Sequence, residues 1–124
     1  MVTYGTPFSG FSVADIPAAK AFYGDVVGLE VTESDGKLQL ALGDGHHVLV
    51  YPKGEAHTPA SFTVLNLPVE DVSGAVRELA ERGVSFERYD GMPQDEDGVM
   101  KGNGPDIAWF TDPSGNELAV WSDQ

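Results

Sequence analysis

The feature that most constrains this chain is a repeated order of elements: a strand-like run, a helix signature, then three more strand-like runs, occurring twice about 55 residues apart. In the first copy Pro7–Val13 reads as a strand. Asp15 can cap a helix whose first turn carries Pro17, where a missing N–H costs nothing, and Ala19, Phe22, Tyr23 and Val26 follow at helical spacing before Gly28. The strand-like runs Leu29–Glu33, Lys37–Leu42 and His46–Tyr51 come next, separated by two Asp-Gly pairs, Asp35-Gly36 and Asp44-Gly45, which are strong hairpin signals.

The second copy begins with Ser61–Leu67. Glu70, Asp71 and Ser73 are each able to cap the helix that follows, in which Val72, Ala75, Val76, Leu79 and Ala80 fall on one face and Arg82-Gly83 closes the pattern. Strands are expected at Val84–Tyr89, Asp106–Thr111 and Glu117–Ser122, the last two joined by the turn Asp112-Pro113-Ser114-Gly115-Asn116. Pro52–Pro59 reads as the linker. The pattern predicts an α+β domain spanning 1–124, made of two βαβββ modules at about 7–51 and 60–122. One stretch breaks it: Asp90–Pro105 is long, acidic and Gly-rich, either a lid that brings Met92 and Met100 to a ligand or a solvated excursion.

Composition narrows the function classes. With 41% apolar residues the chain can build a core, and no apolar run approaches the roughly 18 residues that a membrane helix needs. Cysteine is absent, which removes disulfides, thiolate metal sites and thiol catalysis together. The N-terminus lacks a basic region followed by an apolar stretch, so a cytoplasmic location is expected. Seven Lys and Arg against twenty Asp and Glu leave a formal net charge of −13, a surface that repels nucleic acid and anionic lipid and attracts cations. Asp95-Glu96-Asp97-Gly98 fails the spacing of a calcium loop, and Gly102-Asn103-Gly104 lacks the strand-to-helix setting of a nucleotide loop.

The stretch Val13-Ala14-Asp15-Ile16, followed by Phe22-Tyr23 and Gly28-Leu29, resembles the opening of the glyoxalase / bleomycin-resistance / extradiol-dioxygenase superfamily (the vicinal oxygen chelate fold). Asp112-Pro113-Ser114-Gly115-Asn116 resembles its closing turn. The resemblance implies two modules forming a cupped mixed sheet around a pocket with helices outside, and a homodimer. It also implies where metal-dependent relatives keep their ligands: here Phe8, Phe62, Ala119 and a position near Leu49. None of those side chains has a lone pair to offer a divalent cation, so no metal and no cofactor is expected.

With Ala119 facing the cup, strand alternation brings Glu117 and Trp121 with it, along with Ile107, Trp109 and Thr111 on the preceding strand. Phe62, Val64 and Asn66 face the same way on the second module's first strand, as do His47, Leu49 and Tyr51 in the first module. The expected ligand-binding set is therefore Phe8, His47, Leu49, Tyr51, Phe62, Val64, Ile107, Trp109, Ala119 and Trp121, with Met92 and Met100 from the long loop. His46 and His47 point to opposite faces, and His57 lies in the linker, so no two of them share an ion.

Three functional readings follow. The first is a metal-independent protein that sequesters a small organic molecule, aromatic or cationic and antibiotic-like, as bleomycin-resistance relatives do. The second is an enzyme: a metal-free lyase or isomerase using His47, Tyr51 or Glu117 for proton transfer, or a metal-dependent glyoxalase- or dioxygenase-like enzyme if the ligand register is displaced. The third is an interaction module whose cup is filled by its own side chains.

Overall fold

The computed structural model describes residues 1–102 and 104–122. The chain divides into two compact units, residues 1–59 and 60–124, each built on a mixed sheet. The class is α+β.

In the first unit the strands are β1 (Ser9–Val13), β2 (Glu30–Ser34), β3 (Lys37–Gly43) and β4 (His46–Pro52). They lie in the order β1-β4-β3-β2, with β1 parallel to β4 and the other pairs antiparallel. Asp35 and Asp44 sit at φ of 53° with Gly36 at 74° and Gly45 at 79°, the left-handed pairs that the two tight hairpins require. Helix α1 (Ile16–Ala21) starts where the sequence says: Asp15 Oδ2 accepts from the Ala18 N–H at 3.0 Å. Its continuation, Phe22–Val26, is π-helical rather than α-helical, and it seats Tyr23 fully buried, edge-on to Phe22. Val13, Leu38, Leu40 and Val50 are sealed from solvent and form this unit's core with Tyr23; each buried aliphatic side chain contributes about 1.5–3 kcal/mol.

The second unit holds β5 (Thr63–Pro68), α2 (Val72–Glu81), β6 (Ile107–Thr111) and β7 (Glu117–Trp121). The sheet order is β5-β7-β6, with β5 parallel and β6 antiparallel to β7. Asp71 is the cap that α2 uses, its Oδ1 accepting from the Gly74 N–H at 3.1 Å. Val72, Val76 and Leu79 are the buried face of α2, and Ala108, Phe110, Leu118 and Val120 are buried on the strands.

The strand expected at Val84–Tyr89 does not form, so this sheet has three strands where the first has four. One isolated bridge, Phe86 to Phe110, and the bond from Glu87 N–H to Trp109 O at 2.8 Å attach the segment to β6. The backbone groups a further strand would use are taken by one side chain. Gln94 Nε2 donates to Glu87 O and Gly98 O at 2.9 Å each, and its Oε1 accepts from Tyr89 N–H at 2.8 Å. The loop expected over Asp90–Pro105 is accordingly tied down over its described residues. Asp95 Oδ1 accepts from the N–H groups of Asp97 (2.9 Å) and Val99 (3.0 Å), Arg88 donates to the carbonyls of Asp95 and Glu96, and Val99 is fully buried. Partial desolvation acts to raise the Asp95 carboxyl, but these two N–H donors and Lys101 at 3.5 Å outweigh it and hold it below the usual carboxylate value. Asn103, within that loop and within Gly102-Asn103-Gly104, lies outside the described residues.

Candidate functional site

Side chains from four stretches of the second unit converge on a cavity of about 290 Å³ lined by Ser61, Phe62, Thr63, Tyr89, Met92, Trp109 and Glu117. Trp109 and Glu117 arrive from adjacent strands, where alternation buries Ala108, Phe110 and Leu118 and leaves Trp109 and Glu117 half-buried. The turn before β7 fixes Glu117. Asp112, itself buried, accepts from the Ser114 and Asn116 N–H groups at 2.8 and 2.9 Å, and from Asn116 Nδ2 at 3.1 Å. Thr63 reaches the wall because β5 is irregular between Thr63 and Leu65, which pairs Thr63 with Glu117. Strict alternation sends Thr63 to the helix side; the irregularity overrides it, and Val64 falls at that irregularity rather than on the cavity wall.

Tyr89 is the residue that strand reasoning missed. Its hydroxyl donates to Glu117 Oε1, and its ring meets Trp109 edge-on with centroids 5.5 Å apart and planes at 82°. Partial burial, then the hydrogen bond and negative charge of Glu117, with Glu87 beyond it, push the Tyr89 phenol well above the usual tyrosine value. The phenol therefore stays protonated and acts as a donor. Only a partner 28 residues away in sequence reveals this role, and no local motif marks it.

The other expected site residues are placed as follows. In the first unit Phe8 stacks on His47, ring centroids 4.7 Å apart, and both line a cavity of about 350 Å³ with Pro7, Ser9, Leu42, His46 and Val48. Leu49 and Tyr51 are half-buried on the face of β4 opposite Val48 and Val50. His57 is held by a 2.8 Å hydrogen bond between its Nδ1 and Ser12 Oγ, which pins the linker to β1. In the second unit Ile107 and Met100 exchange backbone hydrogen bonds, and Ala119 is buried opposite Trp109. Trp121 pairs with Ile107, and its buried indole N–H meets no acceptor among the described residues.

Of the three larger clefts, two have little or no aromatic surface. One of about 660 Å³ between α2 and the 95–98 turn carries Arg77, Glu81, Arg88, Glu96 and Asp97, with Phe86 as its one aromatic ring. Another of about 550 Å³ surrounds the exposed Lys20–Glu33 ion pair and has none. A concave aromatic wall with a few polar groups is the better mark of a small-molecule site. At the positions where the resemblance places metal ligands, Phe8 and Phe62 are exposed, Ala119 is buried, and none has a donor atom. Among the described residues no three His, Cys, Asp or Glu side chains group as an ion requires.

The model of the Glyoxalase/Bleomycin resistance protein/Dioxygenase superfamily matches residues 8–120. Among solved structures, the chain is similar to TnmS3, an antibiotic binding protein from Streptomyces sp. CB03234, at 24% identity and TM-score 0.68 over 99% of this chain and 100% of that one. It is similar to a glyoxalase/bleomycin resistance protein from the same Streptomyces strain at 26% identity and TM-score 0.63, covering 95% of this chain and 100% of that one. A glyoxalase family protein from Bacillus anthracis matches at 18% identity and TM-score 0.69 over the whole of both chains. No curated protein sequence matches the chain significantly. Among the described residues no helix is long and apolar enough to cross a membrane.

Proposed function

The chain belongs to the Glyoxalase/Bleomycin resistance protein/Dioxygenase superfamily, and from that premise we propose that it is a metal-independent protein that binds and sequesters a small aromatic molecule. The observation that carries this reading is the second-unit concavity, where Phe62, Tyr89, Met92 and Trp109 line an open cleft of about 290 Å³. Offset or edge-on stacking of a ligand ring on Trp109 contributes about 0.5–1.5 kcal/mol beyond the apolar area it removes from water. Met92 adapts its shape to the ligand edge. Sequestration needs tight, selective binding and no reacting group, which agrees with a wall that offers stacking surfaces beside the hydrogen-bonded Tyr89–Glu117 pair and the hydroxyls of Ser61 and Thr63. The antibiotic-binding role of TnmS3 supports the same reading for this chain.

Titration calorimetry against a panel of polycyclic and cationic antibiotics tests it. At least one member is expected to bind well below millimolar concentration, and Trp109→Ala is expected to weaken that binding about tenfold, the size of one lost stacking contact. Binding that is indifferent to Trp109 would move the site elsewhere.

A further inference from the structure

Glu117 is an unusual group to find on an aromatic wall. It is half-buried beside Trp109, Phe62 and Met92, and among the described residues no Lys, Arg or His side chain pairs with it, although the chain forms such pairs at Lys20–Glu33, Arg82–Glu78 and Lys101–Asp95. Its one protein partner is the Tyr89 hydroxyl, which donates to Oε1 and leaves Oε2 with no protein donor among the described residues. A carboxylate removed from part of its water and given one neutral donor is short of positive charge. The remaining polar atoms of the wall are the hydroxyls of Ser61 and Thr63, which are also neutral.

Resting on the reading of this cavity as a ligand site, we infer that its ligand is an aromatic amine in its ammonium form. The ammonium is received by Glu117, the ring lies against Trp109 and Phe62, and Tyr89 is the positioning residue that holds the carboxylate. An ammonium supplies both the charge and the N–H donors that Oε2 lacks, and charge-assisted hydrogen bonds of this kind are about twice as strong as neutral ones. The ring faces reinforce the same preference, because an aromatic face attracts a cation.

The test compares two probes that differ in one group, tryptamine with its ammonium and tryptophol with a hydroxyl in its place, titrated by calorimetry into the intact chain at neutral pH. Tryptamine is expected to bind about tenfold or more tightly than tryptophol. Glu117→Gln, which keeps shape and the acceptor for Tyr89, is expected to bring the two affinities together by weakening tryptamine much more than tryptophol. Tyr89→Phe is expected to reduce the tryptamine-to-tryptophol ratio about threefold with thermal unfolding at neutral pH little changed, a readout that a merely structural tyrosine would not move. Equal affinities in the unaltered chain, or a ratio that survives Glu117→Gln, overturn the inference and leave the aromatic-binding reading standing. If neither probe binds while a panel antibiotic does in a Trp109-dependent way, the ammonium assignment is again overturned and the sequestration reading survives. If nothing binds at all, both fall.

Discussion

The two units start from the same pattern and treat the residue ahead of their first strand in the same way, yet they build different walls. Phe8 and Phe62 are both largely solvent-exposed, at 57% and 67%. In the first unit Phe8 finds an imidazole, His47, and stacks on it. In the second unit Phe62 shares a cavity with Trp109, Tyr89 and a carboxylate held by hydrogen bond. The divergence begins after the helix. In the first unit three strands follow α1 and pair with one another in ladders broken only by a shift between Ala41 and Gly43. In the second, the segment after α2 is fastened by the side chains of Gln94, Asp95 and Arg88, and that frees Tyr89 to turn its hydroxyl toward Glu117. A duplicated scaffold acquires a distinct site where one copy trades a ladder for side-chain fastenings.

Three perturbations break or sharpen this contrast. The largest effect is expected from Gln94→Ala, which strips partners from Tyr89 N–H, Glu87 O and Gly98 O at once. A loss of about 2 kcal/mol in urea unfolding is expected, with faster amide exchange at Tyr89 and none at the β3–β4 hairpin. A middle effect tests where the units are alike: Asp15→Ala and Asp71→Ala each remove one N-cap acceptor, and each should cost about 1 kcal/mol. Unequal losses would show that one helix leans on its cap more than its twin does.

The smallest effect is a difference in alkaline stability. The folded pKa of Tyr89 lies above its unfolded value, so the stability it contributes is complete below the ordinary tyrosine value near 10 and is lost as pH rises through the folded one. Unfolding free energy should fall above about pH 10, and Tyr89→Phe should flatten that decline. An unchanged decline in Tyr89→Phe would place its cause elsewhere.

Much of this architecture is legible in the sequence because it is encoded locally. Asp15 and Asp71 cap through an N–H three residues on, the Asp-Gly pairs dictate their own turns, and the alternation in Ala108–Phe110 and Leu118–Val120 sorts faces residue by residue. Alternation counted from Ala119 singles out Trp109 and Glu117, the superfamily resemblance Phe62 and the composition of the long loop Met92, and the four line one cavity. What escapes is encoded at a distance. Val84–Tyr89 has strand composition, but strand formation is decided by which donors and acceptors remain, and Gln94 claims them from outside the segment. Tyr89 gains its role from Glu117, and the shift at Thr63–Leu65 shows only when β5 is laid against β7. The π-helical turn at Phe22–Val26 depends on seating Tyr23 in a core that its own spacing does not describe.

The order of strands carries a consequence for how the chain is made. β1 finds its sheet partner in β4, which is complete by residue 52, so the first unit has all its strands while the rest of the chain is still being synthesised. Among the described residues β5 neighbours only β7, whose residues are 117–121, and until those emerge from the ribosome it has no ladder to join. For that interval β5 is an unpaired strand next to Phe62, a pairing edge and an aromatic side chain together, the combination that invites wrong partners.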